Sequence, residues 1–193
     1  MTTVVVPFAG SGGKTRLDAS PRARRELSLA MLADVLAAAT VLGRTLVVTP
    51  DEEGAALGRD LGAERVADPG GGQGAAVQAA LAQADAPALV VNADIPCVTP
   101  ADLRALLEAV PPHGIALVEA LDGTTNALGL ADASLFEPLY GADSARRFLA
   151  LGVETVSVVI PNIAEDVDTT ADLVRLQLKC GPRTQALLAA SAR

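Results

Sequence analysis

The 193-residue chain contains no tryptophan, one tyrosine and three phenylalanines. It therefore offers no aromatic platform on which single-stranded nucleic-acid bases could stack. Its one histidine, His113, and two cysteines, Cys97 and Cys180, cannot complete a structural zinc site or a disulfide framework. Lysine is almost absent: only Lys14 and Lys179 occur among 15 basic residues, and the net charge is −8. Binding of duplex nucleic acid through a generally basic face is therefore not expected. The longest apolar stretch, Leu27 to Leu42, is broken by Asp34 and is too short to span a bilayer. Met1-Thr2-Thr3 followed by Val4–Val6 lacks the basic start and long apolar run of a secretion signal. The expectation is a soluble cytoplasmic protein with reduced thiols and no membrane or nucleic-acid partner. Cys97, with no histidine near it in sequence, reads as a small buried side chain.

Half of the residues are hydrophobic and 20% are charged, enough apolar surface for one folded domain of this length. Short β-branched runs at 3–7, 45–49, 65–68 and 88–94 alternate with helical patterns at 21–42, 52–61 and 74–83. This alternation predicts right-handed crossovers and an α/β fold, a Rossmann-like, mostly parallel mixed sheet flanked by helices. Ser20-Pro21 and Thr99-Pro100-Ala101-Asp102 carry helix-start signals, an N-cap followed by proline at the first helical position. After about residue 111 the alternation loosens. Strands are predicted at 115–121, 126–130 and 153–160, a short helix at 144–151, another from Thr170, and a small surface helix from Pro182. The organisation expected is a single domain, 1–193, of two halves (1–110 and 111–181) and a C-terminal helix (182–193).

Ligands of parallel sheets sit beyond the carboxyl ends of the strands. The first such end reads Pro7-Phe8-Ala9-Gly10-Ser11-Gly12-Gly13-Lys14-Thr15-Arg16. Its glycines let backbone N–H groups approach phosphate oxygens, and Lys14 and Arg16 supply countercharge. A Walker A loop is excluded because Phe8 stands where its first glycine belongs, and a dinucleotide fingerprint lacks a later glycine. At the fourth strand end, Asn92-Ala93-Asp94 places a carboxylate suited to Mg²⁺. In Glu165-Asp166-Val167-Asp168-Thr169, Asp166 and Asp168 at i and i+2 point to one side of an extended segment, a repulsive pair that a divalent cation relieves. Helix capping accounts for Thr169 and Asp172 but not for that pair. The Gly70–Gly74 loop, including Gly72 and Gly74, can lie flat against a base or ribose, or stand as a loop with no ligand. Asp122–Asn126 with Tyr140–Ser144 suits a small carboxylate or phosphate, with Arg146 and Arg147 nearby, or makes an ordinary turn and cap.

In combination these segments resemble the molybdopterin-guanylyltransferase type of nucleotidyltransferase. More narrowly, they resemble the phosphoenolpyruvate / 2-phospho-L-lactate guanylyltransferases of coenzyme F-420 biosynthesis. The likeness is carried by Lys14-Thr15-Arg16-Leu17, Gly70–Gly74, Ala93-Asp94-Ile95-Pro96, Gly123–Leu128, Tyr140–Ser144 and Asp166–Thr169, and it spans about residues 3–178. Gln73-Gly74 departs from the Gly-Leu-Asn with which that family's glycine loop continues. The resemblance implies an enzyme that moves GMP from GTP to a small phospho-acid, most readily phosphoenolpyruvate, and releases pyrophosphate. It implies Mg²⁺ on Asp94, Asp166 and Asp168; catalytic roles for Lys14, Arg16 and Asp94; nucleotide contacts from Gly12, Gly13, Lys14, Gly72 and Gly74; and phospho-acid contacts from Thr125, Gly141 and Ser144. It leaves a homodimer open. Competing readings keep the fold with a molybdenum-cofactor or sugar-phosphate acceptor, or make the chain a P-loop NTPase or a non-catalytic nucleotide-binding regulator.

Overall fold

A computed structural model describes residues 2–10, 14 and 16–191. Its strands are β1 (Thr3–Pro7), β2 (Arg44–Thr49), β3 (Glu64–Ala67), β4 (Ala88–Val91), β5 (Ile115–Glu119), β6 (Thr125–Leu130) and β7 (Thr155–Ser157). They form one sheet in the order β3-β2-β1-β4-β6-β5-β7. β1 pairs in parallel with β2 on one side and β4 on the other, whereas β6 runs antiparallel to both β4 and β5. The α/β class and the mixed sheet expected from the alternation are what the chain forms.

The helices are α1 (Pro21–Leu42), α2 (Glu52–Asp60), α3 (Gln73–Leu81), α4 (Pro100–Glu108), α5 (Ser144–Leu149), α6 (Pro161–Ala164), α7 (Thr170–Leu176) and α8 (Pro182–Ser191). Alternate residues of β1 feed two cores. Val4 and Val6 pack with Leu32, Leu36 and Leu103 of α1 and α4, while Val5 packs with Val77 and Ala80 of α3 and Phe148 of α5. Helices therefore cover both faces, the condition under which parallel strands become continuous apolar runs. Ser20 caps α1 ahead of Pro21, and Thr99 and Thr169 form capping boxes with Asp102 and Asp172.

Three predicted strands come out shorter; the run at 115–121 ends at Glu119. The run at 153–160 pairs with β5 only over Thr155–Ser157, at the sheet edge, and Val159 beyond it is 87% exposed. A strand bonded on one side has half the ladder to hold it, and Pro161 opens α6 immediately afterwards. The run at 88–94 stops at Val91, where the chain turns away to present Asn92 and Asp94.

Asp34, the one charge inside the apolar stretch of α1, is buried because it caps a different helix. Its carboxylate accepts the backbone N–H groups of Arg183 (3.0 Å) and Thr184 (2.9 Å) at the start of α8. Gly181 permits the approach, since a Cβ there would lie 2.4 Å from the Asp34 carboxyl carbon. Asp34→Ala removes the cap and strands the buried Thr184 amide and the half-buried Arg183 amide, so stability should fall by about 2 kcal/mol. Urea titration should show a lower midpoint at unchanged slope. An unchanged midpoint would mean that α8 is not held by this contact.

Candidate active site

The order of strands sets the place of the site. β1 has β2 on one flank and β4 on the other, so the connections after β1 and β4 diverge at their carboxyl ends, the switch point where α/β sheets bind ligands. A cavity of about 250 Å³ opens there. Gly10 and Lys14 beyond β1, and Asn92 and Asp94 beyond β4, line it; Phe8, Met31, Val48 and Ala76 make its apolar wall, and Asp68, Gly72 and Gln73 its rim. Gly70, Gly71 and Gly72 have φ of 79°, 90° and 89°, a left-handed run that side chains resist, and this run carries the chain into α3. Gly74 is not among the residues that line this cavity, and a Cβ there would lie 2.6 Å from Cβ of Pro138, so its lack of a side chain permits that close approach. Gly12 and Gly13 lie outside the described residues.

The antiparallel direction of β6 matters as much. It brings the start of that strand, Thr125 and Asn126, beside the end of β4, where the Asn92 N–H donates to the Asn126 carbonyl at 3.0 Å. A second cavity of about 210 Å³ forms against it, lined by Thr125, Gly141, Ser144, Tyr140, Asp122 and the acidic residues described next. Thr125 and Ser144 are both buried, and their hydroxyls bond each other at 3.1 Å. Gly141 has φ of 108°. The Ser144 N–H bonds the Gly141 carbonyl at 3.1 Å. Arg147 donates to the carbonyls of Tyr140 (3.1 Å) and Ala142 (2.9 Å), so it clamps this loop and is not poised over the cavity. Among the described residues no lysine or arginine lines the second cavity, while Asp94, Asp122, Asp166 and Asp168 do.

The two cavities meet at Gln73, Asn92 and Asp94, which line both. At this junction Asp94, Asp166 and Asp168 each offer a carboxylate oxygen within 4.8 Å of the others'. Val167 lies fully buried in an apolar cluster with Met31, Cys97, Leu176 and Cys180, and its N–H bonds the Asp94 carbonyl at 3.0 Å. That anchor turns Asp166 and Asp168 outward together, as their i, i+2 spacing predicts. Cys97 is buried in the same cluster, as expected, with its sulfur 4.0 Å from that of Cys180.

Lys14 Nζ donates to Asp94 Oδ2 at 2.6 Å and to Asp168 Oδ1 at 2.7 Å, and Arg16 pairs with Asp168. Burial opposes the Lys14 ammonium, but Asp94 and Asp168 outweigh it and raise its pKa above the usual lysine value. Burial, then repulsion from Asp94 and Asp168, pushes the Asp166 carboxyl up to about 6. Asp94 Oδ1 is buried with no hydrogen-bond partner among the described residues. Three converging carboxylates, with the Asp166 proton held by burial and its neighbours' charge, are a donor set matched to a hard divalent cation.

Three side-chain amides to which local pattern assigns no role form a chain. Gln73 Nε2 donates to Asn92 Oδ1 at 2.7 Å; Asn92 Nδ2 donates to the Thr125 carbonyl at 3.2 Å and to Asn126 Oδ1 at 3.4 Å. Asn126 Nδ2 in turn donates to the Ile163 carbonyl at 2.9 Å and to Asp166 Oδ1 at 3.5 Å. The available signal was Asn126 itself, a polar residue inside an otherwise apolar strand, which must find partners when buried.

Residues 21–158 match the MobA-like NTP transferase domain. The chain belongs to the MobA-like NTP transferase family. It is 38% identical to a phosphoenolpyruvate guanylyltransferase of Nocardia farcinica over 182 residues, covering 87% of this chain and 80% of that one. With the phosphoenolpyruvate guanylyltransferase of Streptomyces coelicolor it shares 37% identity, over 97% of this chain and 95% of the relative. A nucleotidyl transferase from Methanothermobacter superposes with a TM-score of 0.65 at 18% identity, covering 98% and 99% of the two chains, a likeness of fold. As a member of this family the chain is a nucleotidyltransferase. Among its described residues no helix is long and apolar enough to cross a membrane.

Proposed function

We propose that this family member transfers GMP from GTP to a small phospho-acid, phosphoenolpyruvate first among the candidates, and releases pyrophosphate, a step of coenzyme F-420 biosynthesis. The observation that carries the reading is the junction itself: a half-apolar cavity and an acidic cavity share Asp94. The names of the relatives support the choice of donor and acceptor. The nucleotide-binding half (1–110) supplies the first cavity and the acceptor-binding half (111–181) most of the second. The apolar wall of Phe8, Met31 and Val48 suits a purine. Asp68 Oδ1 accepts the Gly70 N–H at 2.8 Å, and its other oxygen suits guanine, whose pairing edge carries adjacent N–H donors.

In the reaction, an oxygen of the acceptor phosphate attacks the α-phosphorus of GTP. The new P–O bond forms as the bond to the β-phosphate breaks, and pyrophosphate leaves with the electron pair. The attacking oxygen is already anionic, so no general base is needed. The chain's work is positioning and charge control. Asp94, Asp166 and Asp168 are the residues that would hold Mg²⁺, which would offset the charge of two anionic substrates in a cavity lined by carboxylates. Lys14, on the first cavity, faces the triphosphate. Arg16 pairs with Asp168 at the edge of the site, which supports a role for it in offsetting phosphate charge there. Thr125, Gly141 and Ser144 form the wall that receives the carboxylate end of the acid.

The test is to incubate the protein with Mg²⁺, one of GTP, ATP or CTP, and one of phosphoenolpyruvate, 2-phospho-L-lactate or 3-phosphoglycerate. Pyrophosphate release and product mass are then measured. Turnover with GTP and phosphoenolpyruvate is expected; release that is the same with and without any acid would overturn the acceptor assignment.

A pH dependence follows from Asp166. Its proton is held up to about pH 6, and a cation must displace it, so affinity for Mn²⁺ should be full above pH 6 and fall as pH drops through that value. Between about pH 7 and about pH 5 the loss should approach tenfold. Calorimetric titration checks this; a flat profile would remove Asp166 from the cation site.

A further inference from the structure

Gln73 stands at the first position of α3, where the glycine loop ends, and it lines both cavities beside Asp94. The amide chain behind it has a direction that chemistry dictates. The Ile163 carbonyl can only accept, so the Asn126 nitrogen turns toward it and the Asn126 oxygen turns toward Asn92. The Asn92 nitrogen must then face Asn126 and the Thr125 carbonyl, which leaves the Asn92 oxygen for Gln73. Gln73 can answer only with its nitrogen. One amide hydrogen is consumed at 2.7 Å; Nε2 carries a second. The result is a neutral N–H donor, oriented in advance, where the donor and acceptor cavities join.

We propose that Gln73 is a catalytic residue that donates this second amide hydrogen to the phosphoryl group during transfer, with Asn92 and Asn126 as its positioning residues. The proposal rests on the guanylyltransferase reading. Gln73 moves no proton; it contributes a hydrogen bond to the charge that builds on the non-bridging oxygens as the bond to the β-phosphate breaks. A neutral donor is apt at this place: it adds to the stabilisation of that charge without drawing Asp94 or Asp168 into another ion pair. Fixed donors of this kind are effective because they need no reorganisation at the moment of reaction.

The experiment compares wild type, Gln73→Leu, Gln73→Glu, Asn92→Leu and the double variant Gln73→Leu/Asn92→Leu by pyrophosphate release, with Mn²⁺ affinity as a second readout. Gln73→Leu should lower kcat on the order of 10²-fold with both KM values within about threefold, the pattern of a contact made mainly in the transition state. Gln73→Glu should lose at least as much, because a carboxylate can donate neither to the phosphoryl group nor to Asn92. Asn92→Leu frees the Gln73 amide to turn, and the double variant should lose little more than either single one. Mn²⁺ affinity should stay at the wild-type value in Gln73→Leu, which separates a lost donor from a disturbed acidic cluster. If Gln73→Glu retains wild-type kcat, or if the loss appears in KM alone, the proposal is overturned while the guanylyltransferase reading stands. A wild type that releases no pyrophosphate with any of the acids overturns both.

Discussion

Lys14→Met should change two measurements in opposite directions: nucleotide-free protein binds Mn²⁺ roughly 10- to 100-fold more tightly, while kcat/KM for GTP falls on the order of 10²–10³-fold. The first effect follows from where the ammonium lies. Nζ sits 2.6 Å from Asp94 and 2.7 Å from Asp168, two of the three carboxylates offered to the cation, so a metal ion must compete with it for the same oxygens. Opposite charges at about 4 Å interact by about 4 kcal/mol at an effective dielectric of 20, and only part of that is recovered once the lysine is rehydrated. Methionine keeps the length of the side chain and removes the charge. The second effect follows from the first cavity, which Lys14 lines: the triphosphate loses its cationic partner. Calorimetry with Mn²⁺ and steady-state pyrophosphate release read the two effects separately. Equal or weaker Mn²⁺ binding in the variant would show that Lys14 and the cation do not share these oxygens.

Asp168→Asn should abolish turnover, by on the order of 10³-fold or more, with the fold intact. Asp168 is the residue on which the site's charges converge, since it accepts from Lys14 and pairs with Arg16 as well as completing the acidic cluster. An amide of the same shape keeps the packing but cannot balance a divalent cation, and it releases both basic side chains. The fold has no need of that carboxylate: Val167 anchors the segment from within an apolar cluster, and the Thr169–Asp172 capping box starts α7 independently. Circular dichroism and thermal melting should match wild type while Mn²⁺ binding and product formation disappear. Near-normal turnover in this variant would remove the acidic cluster from the mechanism.

Much of this was legible along the chain because it rests on local spacing. The apolar runs of β1, β2 and β4, the caps at Ser20, Thr99 and Thr169, and the two-residue offset of Asp166 and Asp168 each depend on neighbours a few positions away. The ends of β4 and β7 were less so, since a strand's length depends on what pairs with it and on where the chain must turn. Asp34 looked like an interruption of an apolar helix; its partners are the amides of residues 183 and 184, about 150 positions later in the chain.

Composition and local pattern alone were enough to establish an acidic α/β chain with a glycine-flanked Lys14 after the first strand and a paired carboxylate after the last; the nucleotidyltransferase reading came from the resemblance of its motifs to a family. The fold decided how those pieces meet. Parallel pairing of β1 with β4 joins Lys14 to Asp94 across 80 residues, and Val167 carries Asp168 to the same lysine across 154. The reversed direction of β6 sets Asn126 beside Asn92 and so turns the Gln73 amide toward the junction. The pairing of Arg16 with Asp168 and the close approach of Gly74 to Pro138 have the same origin. A local pattern specifies which way a side chain points within its own element, but which elements become neighbours, and in which direction they run, is settled only when the two apolar faces of the sheet are buried together.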